Sequence, residues 1–108
     1  MKILLTHERF APDFAGGGED VVLETARHLQ RRGHDVQVLT MGDSSITEYE
    51  GIPTQRLAGH RYSMNLCSKA IADAAREADL IQTFNYHACY PSLRAARRLG
   101  KPIVCQFL

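Results

Sequence analysis

The stretch from Lys2 to Gly33 restricts the fold more than any other part of the chain. It places a short apolar strand, Ile3-Leu4-Leu5-Thr6, before a loop ending in Gly16-Gly17-Gly18 and a helical pattern starting at Glu19. An uninterrupted apolar run is the pattern of a strand covered on both faces, as in a parallel sheet. From Glu19 the period changes. Val22, Ala26 and Leu29 share one helical face, while Glu24, Arg27, Gln30 and Arg31 point elsewhere. Glu19 and Asp20 suit the positive end of that helix, Arg31 and Arg32 suit its negative end, and Gly33 can cap it in the left-handed conformation. Asp35 to Thr40 then reads as a second strand, so the unit is a right-handed parallel crossover.

The same alternation continues along the chain. Met41 to Ala58 is less regular, with a β-like piece from Ile52 to Leu57 in which Pro53 argues for an edge strand. Ser63 to Ala78 reads as one long amphipathic helix and Asp79 to Phe84 as a strand. The loop Asn85-Tyr86-His87 follows, then a short helix from Ala88 or Pro91 to Leu99 capped by Gly100, then a last strand from Pro102 to Leu108. The order β-α-β-β-α-β-α-β points to an α/β fold: a three-layer Rossmann-like sandwich over a mainly parallel sheet, strand order 3-2-1-4-5, in one domain spanning residues 1–108. A flavodoxin-like sheet, order 2-1-3-4-5, is the alternative topology and would suit a non-catalytic small-ligand or protein-binding module.

In the 3-2-1-4-5 order the winding reverses between the first and fourth strands, and the crevice beyond their carboxyl ends is the default binding site. His7 to Gly18 and Asn85 to Tyr90 would line it. Gly16, Gly17 and Gly18 open a helix whose first-turn N–H groups lack intrahelical partners, so an anion could approach the backbone there, or the run is simply a flexible loop. Glu19 could accept from a ligand hydroxyl or merely favour the helix dipole. His7 and Glu8 are crevice groups or solvated loop residues. Asn85, Tyr86 and His87 offer an amide, a ring suited to stacking on a sugar and a titratable imidazole.

Several classes are excluded or disfavoured. The glycines depart from the GxGxxG fingerprint, because Val21 holds the third position and Gly16 stands far from the end of the strand, so a nicotinamide dinucleotide is disfavoured. No Gly-Lys-Ser/Thr follows, which excludes a P-loop. His7-Glu8 fails HExxH because Ala11 stands at the fifth position, and no metal site is expected. Cys67, Cys89 and Cys105 are widely spaced and odd in number; they read as buried small apolar residues rather than a disulfide or metal framework. A formal charge of +1 gives no reason to expect nucleic acid. No apolar run reaches the ~20 residues of a transmembrane segment, and the N-terminus lacks a signal-peptide pattern, so a cytoplasmic location is expected, compatible with peripheral attachment to a membrane.

Lys2-Ile3-Leu4, Pro12 with Gly16-Gly17-Gly18-Glu19, Leu29-Gln30-Arg31-Arg32-Gly33-His34-Asp35-Val36, Gly51-Ile52-Pro53, Ala78-Asp79-Leu80-Ile81 and Gly100-Lys101-Pro102-Ile103-Val104 occur in one order over the whole chain. Together they resemble the N-terminal domain of glycosyltransferase family 4, of the GT-B fold. The resemblance implies a retaining transferase that moves a sugar from a nucleotide-sugar, its donor substrate, to a sugar, lipid or small-molecule acceptor without a cofactor or metal. It implies that this domain holds the acceptor and turns its glycine loop toward the donor phosphates. The nucleotide-sugar domain that such enzymes carry at their C-terminal side lies outside these residues, so the 108-residue chain is expected to be a fragment, inactive alone. Leu108 stands where relatives often have a histidine, and no catalytic residue follows from that motif. Self-association through the exposed last strand is a further expectation.

Overall fold

The structure, a computed structural model, describes residues 1–12 and 17–107. Its sheet has six strands: β1 (Lys2–Thr6), β2 (Asp35–Met41), β3 (Glu48–Tyr49), β4 (Ile52–Leu57), β5 (Leu80–Phe84) and β6 (Ile103–Gln106). The order is β3-β4-β2-β1-β5-β6, parallel throughout except where β3 meets β4. The five strands expected from sequence keep their 3-2-1-4-5 order, and β3 adds an outer strand. β1 lies between β2 and β5, so the flavodoxin-like order is not found.

Residue parity along β1 divides the core. Ile3 and Leu5 face one side, where they meet Val22 and Ala26 of α1 (Gly17–Arg31), with Phe10, Val36, Val38, Ile52 and Phe84. Leu4 faces the other, against Ile71, Ala72 and Ala75 of α2 (Ser68–Ala75) and Ala88, Ala95 and Ala96 of α3 (Asn85–Leu99). A parallel strand buried on both faces therefore separates two helical layers, which is the three-layer sandwich expected. Gly33 closes α1 at φ 89, with His34 N–H donating to Leu29 O at 3.1 Å. Gly100 closes α3 at φ 66, with Lys101 N–H donating to Ala96 O at 2.9 Å.

Four local expectations are corrected. The helix expected over Ser63–Ala78 is two pieces, because His60 Nδ1 accepts from Tyr62 N–H and starts a 3₁₀ helix over Arg61–Leu66. Its shorter bonds, such as Cys67 N–H to Met64 O at 3.0 Å, do not run into an α-helix, so α2 begins afresh at Ser68 and ends at Ala75. Pro53 does not mark the edge: β4 pairs with β2 on one side and, through a Glu50-Gly51 turn with both φ values positive, with β3 on the other. Asn85-Tyr86-His87 is not a loop but the first turn of α3, which passes through Pro91 rather than starting near it. Of the cysteines only Cys89 is buried; Cys67 is half-buried and Cys105 exposed.

Candidate functional site

β1 and β5 are adjacent and parallel, with Thr6 opposite Thr83, so the residues that follow them emerge side by side. The junction is held from below by hydroxyls. Thr6 Oγ1 lies 2.7 Å from both Thr83 Oγ1 and Ser92 Oγ, and all three side chains are fully buried. This network ties β1, β5 and α3 together directly beneath the crevice, where an unpaired hydroxyl would be costly.

Above it sits His7, 2% exposed. β5 ends in extended backbone at Phe84, and Asn85 takes a left-handed φ of 63, a conformation asparagine tolerates better than most residues. That turn aims the Asn85 amide at β1, and Nδ2 donates to His7 Nε2 at 3.2 Å. His7 Nδ1 lies 2.6 Å from Arg9 O. Arg9 N–H also points at Nδ1, at 3.1 Å. The Asn85 amide nitrogen can only donate, however, so Nε2 accepts from it and the proton sits on Nδ1, donating to the nearer Arg9 O. Burial pushes the His7 pKa below its ordinary value, against the opposing pull of the Glu8 and Glu19 carboxylates, which favours the neutral imidazole.

Glu8 is 6% exposed, and its Oε2 is buried without a hydrogen-bond partner among the described residues. It lies 3.5 Å from His7 Nε2, but that nitrogen already accepts from Asn85 and has no proton to give. A buried carboxylate oxygen without a donor is costly to keep. Glu19 is also buried, in the first turn of α1, with Arg9 Nη1 3.8 Å from its Oε1. The crevice thus gathers two carboxylates, a neutral imidazole, an amide and the N-terminal end of a 15-residue helix.

Arg56 braces this loop from the opposite side. It is 3% exposed on β4, its Nη1 donates to Phe10 O at 3.5 Å, its Nη2 donates to Ala11 O, and its guanidinium lies 5.6 Å from the Phe10 ring centroid. Sequence reading passed over Arg56, although a signal existed. Ile52, Thr54 and Arg56 alternate inward along β4, so an arginine occupies a position on the buried face of a strand.

The other expected site residues lie in different surroundings. Gly17 and Gly18 open α1, so the helix starts two residues before Glu19; Gly16 falls outside the described residues, as does Leu108. Tyr86 is exposed and its ring meets Phe107, centroids 5.0 Å apart. His87 turns to the 3₁₀ helix, where its Nδ1 lies 3.0 Å from Asn65 Nδ2 and its ring 4.6 Å from that of Tyr62. The structure therefore brings His7, Glu19 and Asn85 into one crevice with Glu8 and Arg9, while Tyr86 packs on Phe107 and His87 on the 3₁₀ helix.

Comparison with known proteins places this geometry in context. The crystal structure of MurG from Acinetobacter baumannii superposes with a TM-score of 0.74 at 16% identity, over 98% of this chain and 35% of that one. The likeness is one of fold, and the chain spans about a third of the length of that structure. No curated sequence matches. The family model for Glycosyltransferase Family 4 matches residues 15–107, from the glycine run to the end of the last strand. With that match over most of its length, on a Rossmann-like sheet of the GT-B kind, the chain belongs to glycosyltransferase family 4.

Proposed function

We propose that the crevice between β1 and β5 is the acceptor side of a glycosyltransferase site, in which a sugar passes from a nucleotide-sugar, with retention, to a hydroxyl of a sugar, lipid or small-molecule acceptor. Family membership supports the reaction class. The observation that carries the acceptor assignment is Glu8 Oε2, a buried carboxylate oxygen with no donor among the described residues, at the switch point of the sheet. An acceptor hydroxyl is a neutral donor of the size such a position takes, and it would satisfy that oxygen on binding.

The other groups fall into roles around this contact. His7, held neutral and oriented by Asn85, lines the wall beside the hydroxyl. Glu19 offers a second carboxylate, restrained by Arg9. Gly17 and Gly18 open α1 without side chains, where the backbone N–H groups and the helix dipole favour the donor's phosphates. Tyr86, next to Asn85 in the first turn of α3, presents an exposed ring suited to stacking on a pyranose face. The donor is held by residues outside these 108, and this chain alone binds acceptor without turning it over. No residue is assigned as the catalytic group.

Among the described residues no helix is long and apolar enough to cross a membrane. A cytoplasmic enzyme, attached at most peripherally to a membrane, is the corresponding proposal. β6 lies at the outer edge of the sheet with Val104 and Phe107 exposed, and we propose that copies of the chain pair through it. Sedimentation should show a concentration-dependent dimer, and a monodisperse monomer at high concentration would contradict the pairing.

The acceptor assignment is tested by titrating the 15N-labelled chain with methyl glucoside and methyl mannoside, and in a separate series with uridine diphosphate. Glycosides are expected to move the resonances of His7, Glu8 and Asn85 at millimolar concentration, and the nucleotide is expected to leave them in place. Glycoside-induced shifts confined to other parts of the surface would overturn it.

A further inference from the structure

Outside the crevice, two thiols that the sequence separates meet in space. Cys89 lies on α3 and Cys105 on β6, and Cys89 Sγ is 3.4 Å from Cys105 Sγ, with both thiols free. Neither sulfur stands alone, since each is the other's hydrogen-bonding neighbour. The two differ sharply in access: Cys89 is buried against the sheet, whereas Cys105 is exposed on the outermost strand. Cys67, the remaining cysteine, is engaged elsewhere, its Sγ donating to Ser63 O at 3.3 Å.

We propose that Cys89 and Cys105 form an oxidisable dithiol, a modification site at which hydrogen peroxide converts the pair to an intramolecular disulfide. A disulfide needs the sulfurs at about 2.0 Å, so side-chain rotation has to close little more than an ångström. The exposed Cys105 sulfur attacks a peroxide oxygen, the O–O bond breaks, and Cys105 becomes a sulfenic acid as water leaves. The Cys89 sulfur then attacks the Cys105 sulfur, the S–O bond breaks, and the departing hydroxide takes the Cys89 proton as a second water. Two thiols and one peroxide give one disulfide and two waters, with two electrons passing from the sulfurs to the peroxide.

The partition of roles follows from burial. Cys105 meets a soluble oxidant first, while burial, with the hydrogen bond to Cys105 and its charge, pushes the Cys89 thiol up to about 11 and keeps it protonated. Cys89 stands four positions beyond Asn85 on α3, so the bridge would tie β6 to the helix whose first residue reaches His7.

The test treats the folded chain with a small excess of hydrogen peroxide, quenches it, and counts thiols under denaturing conditions. The count should fall from the three cysteines of the sequence to one. The intact mass should drop by about 2 Da, and a peptide joining residues 89 and 105 should appear only without reductant. The Cys67→Ser variant should lose both of its thiols in the same way. The Cys105→Ser variant should form no internal bridge, and because Cys105 is exposed its fold is not at stake. A full thiol count after treatment, a gain in mass from oxygen alone, or a disulfide-linked dimer in place of the bridge would each overturn the proposal.

Discussion

Asn85 Nδ2 donates to His7 Nε2 at 3.2 Å across the point where β1 and β5 end, joining residues 78 positions apart in the chain. This contact depends on an unusual backbone turn, since Asn85 takes a φ of 63 where the strand gives way to α3. One residue thus serves two purposes: it turns the chain and it fixes the imidazole.

The two purposes separate by substitution. Asn85→Gly keeps the positive φ at no steric cost and removes only the amide, and it should leave the thermal midpoint within a few degrees while weakening glycoside binding. Asn85→Ala loses the amide and also strains the backbone, at a cost of about 1–3 kcal/mol. Equal stability losses for both variants, by urea titration, would show that the turn is not what the asparagine supplies.

His7 gives the pH dependence. Its pKa in the folded chain lies below the ordinary 6.5, burial being the main cause, so the folded state prefers the neutral ring more strongly than the unfolded state does. The stability this contributes is fully present above 6.5 and is lost as pH falls through the lower folded-state pKa. Urea midpoints for the parent should therefore decline from neutral pH toward pH 5, and those of His7→Gln should decline less. Parallel curves for the two proteins would contradict this.

Arg56 should act on the loop rather than on a ligand. Its donors hold the carbonyls of Phe10 and Ala11 from β4. Removing a buried, charge-assisted contact of this kind costs about 1.5–3 kcal/mol. Arg56→Met keeps much of the packing over Phe10 and should lose about that much stability, with faster proteolysis between β1 and α1. Unchanged cleavage in that segment would mean that Phe10 and Ala11 are held by something else.

Much of this architecture was legible in the sequence, for identifiable reasons. The apolar run of β1, the period of α1 and the caps at Gly33 and Gly100 are local patterns, and their alternation pointed to a doubly wound sheet, though it suited the flavodoxin-like order as well as the one found. The break at Cys67 was hidden because it is set by a side-chain cap at His60 on a helical pattern that otherwise reads as continuous. The first turn of α3 was hidden by Pro91, which suits the start of a helix better than its interior. The site was half legible. His7, Glu19 and Asn85 could be placed at the crevice by topology, but the lone oxygen of Glu8, the brace of Arg56 and the meeting of Cys89 with Cys105 are contacts across the fold that no local pattern encodes.

The most direct test of the acceptor site is to measure stability and glycoside affinity together for Glu8→Gln. The substitution keeps the shape of Glu8, removes its charge, and replaces the buried carboxylate by a neutral amide. If Glu8 Oε2 is kept unpartnered to receive a hydroxyl, the variant should be as stable as the parent or more so, because a buried carboxylate without a donor is a cost to folding. Its affinity for methyl glycosides should fall by roughly tenfold, about 1.4 kcal/mol. A variant that loses stability and binds glycosides as well as the parent would show that Glu8 supports the fold and that the acceptor sits elsewhere.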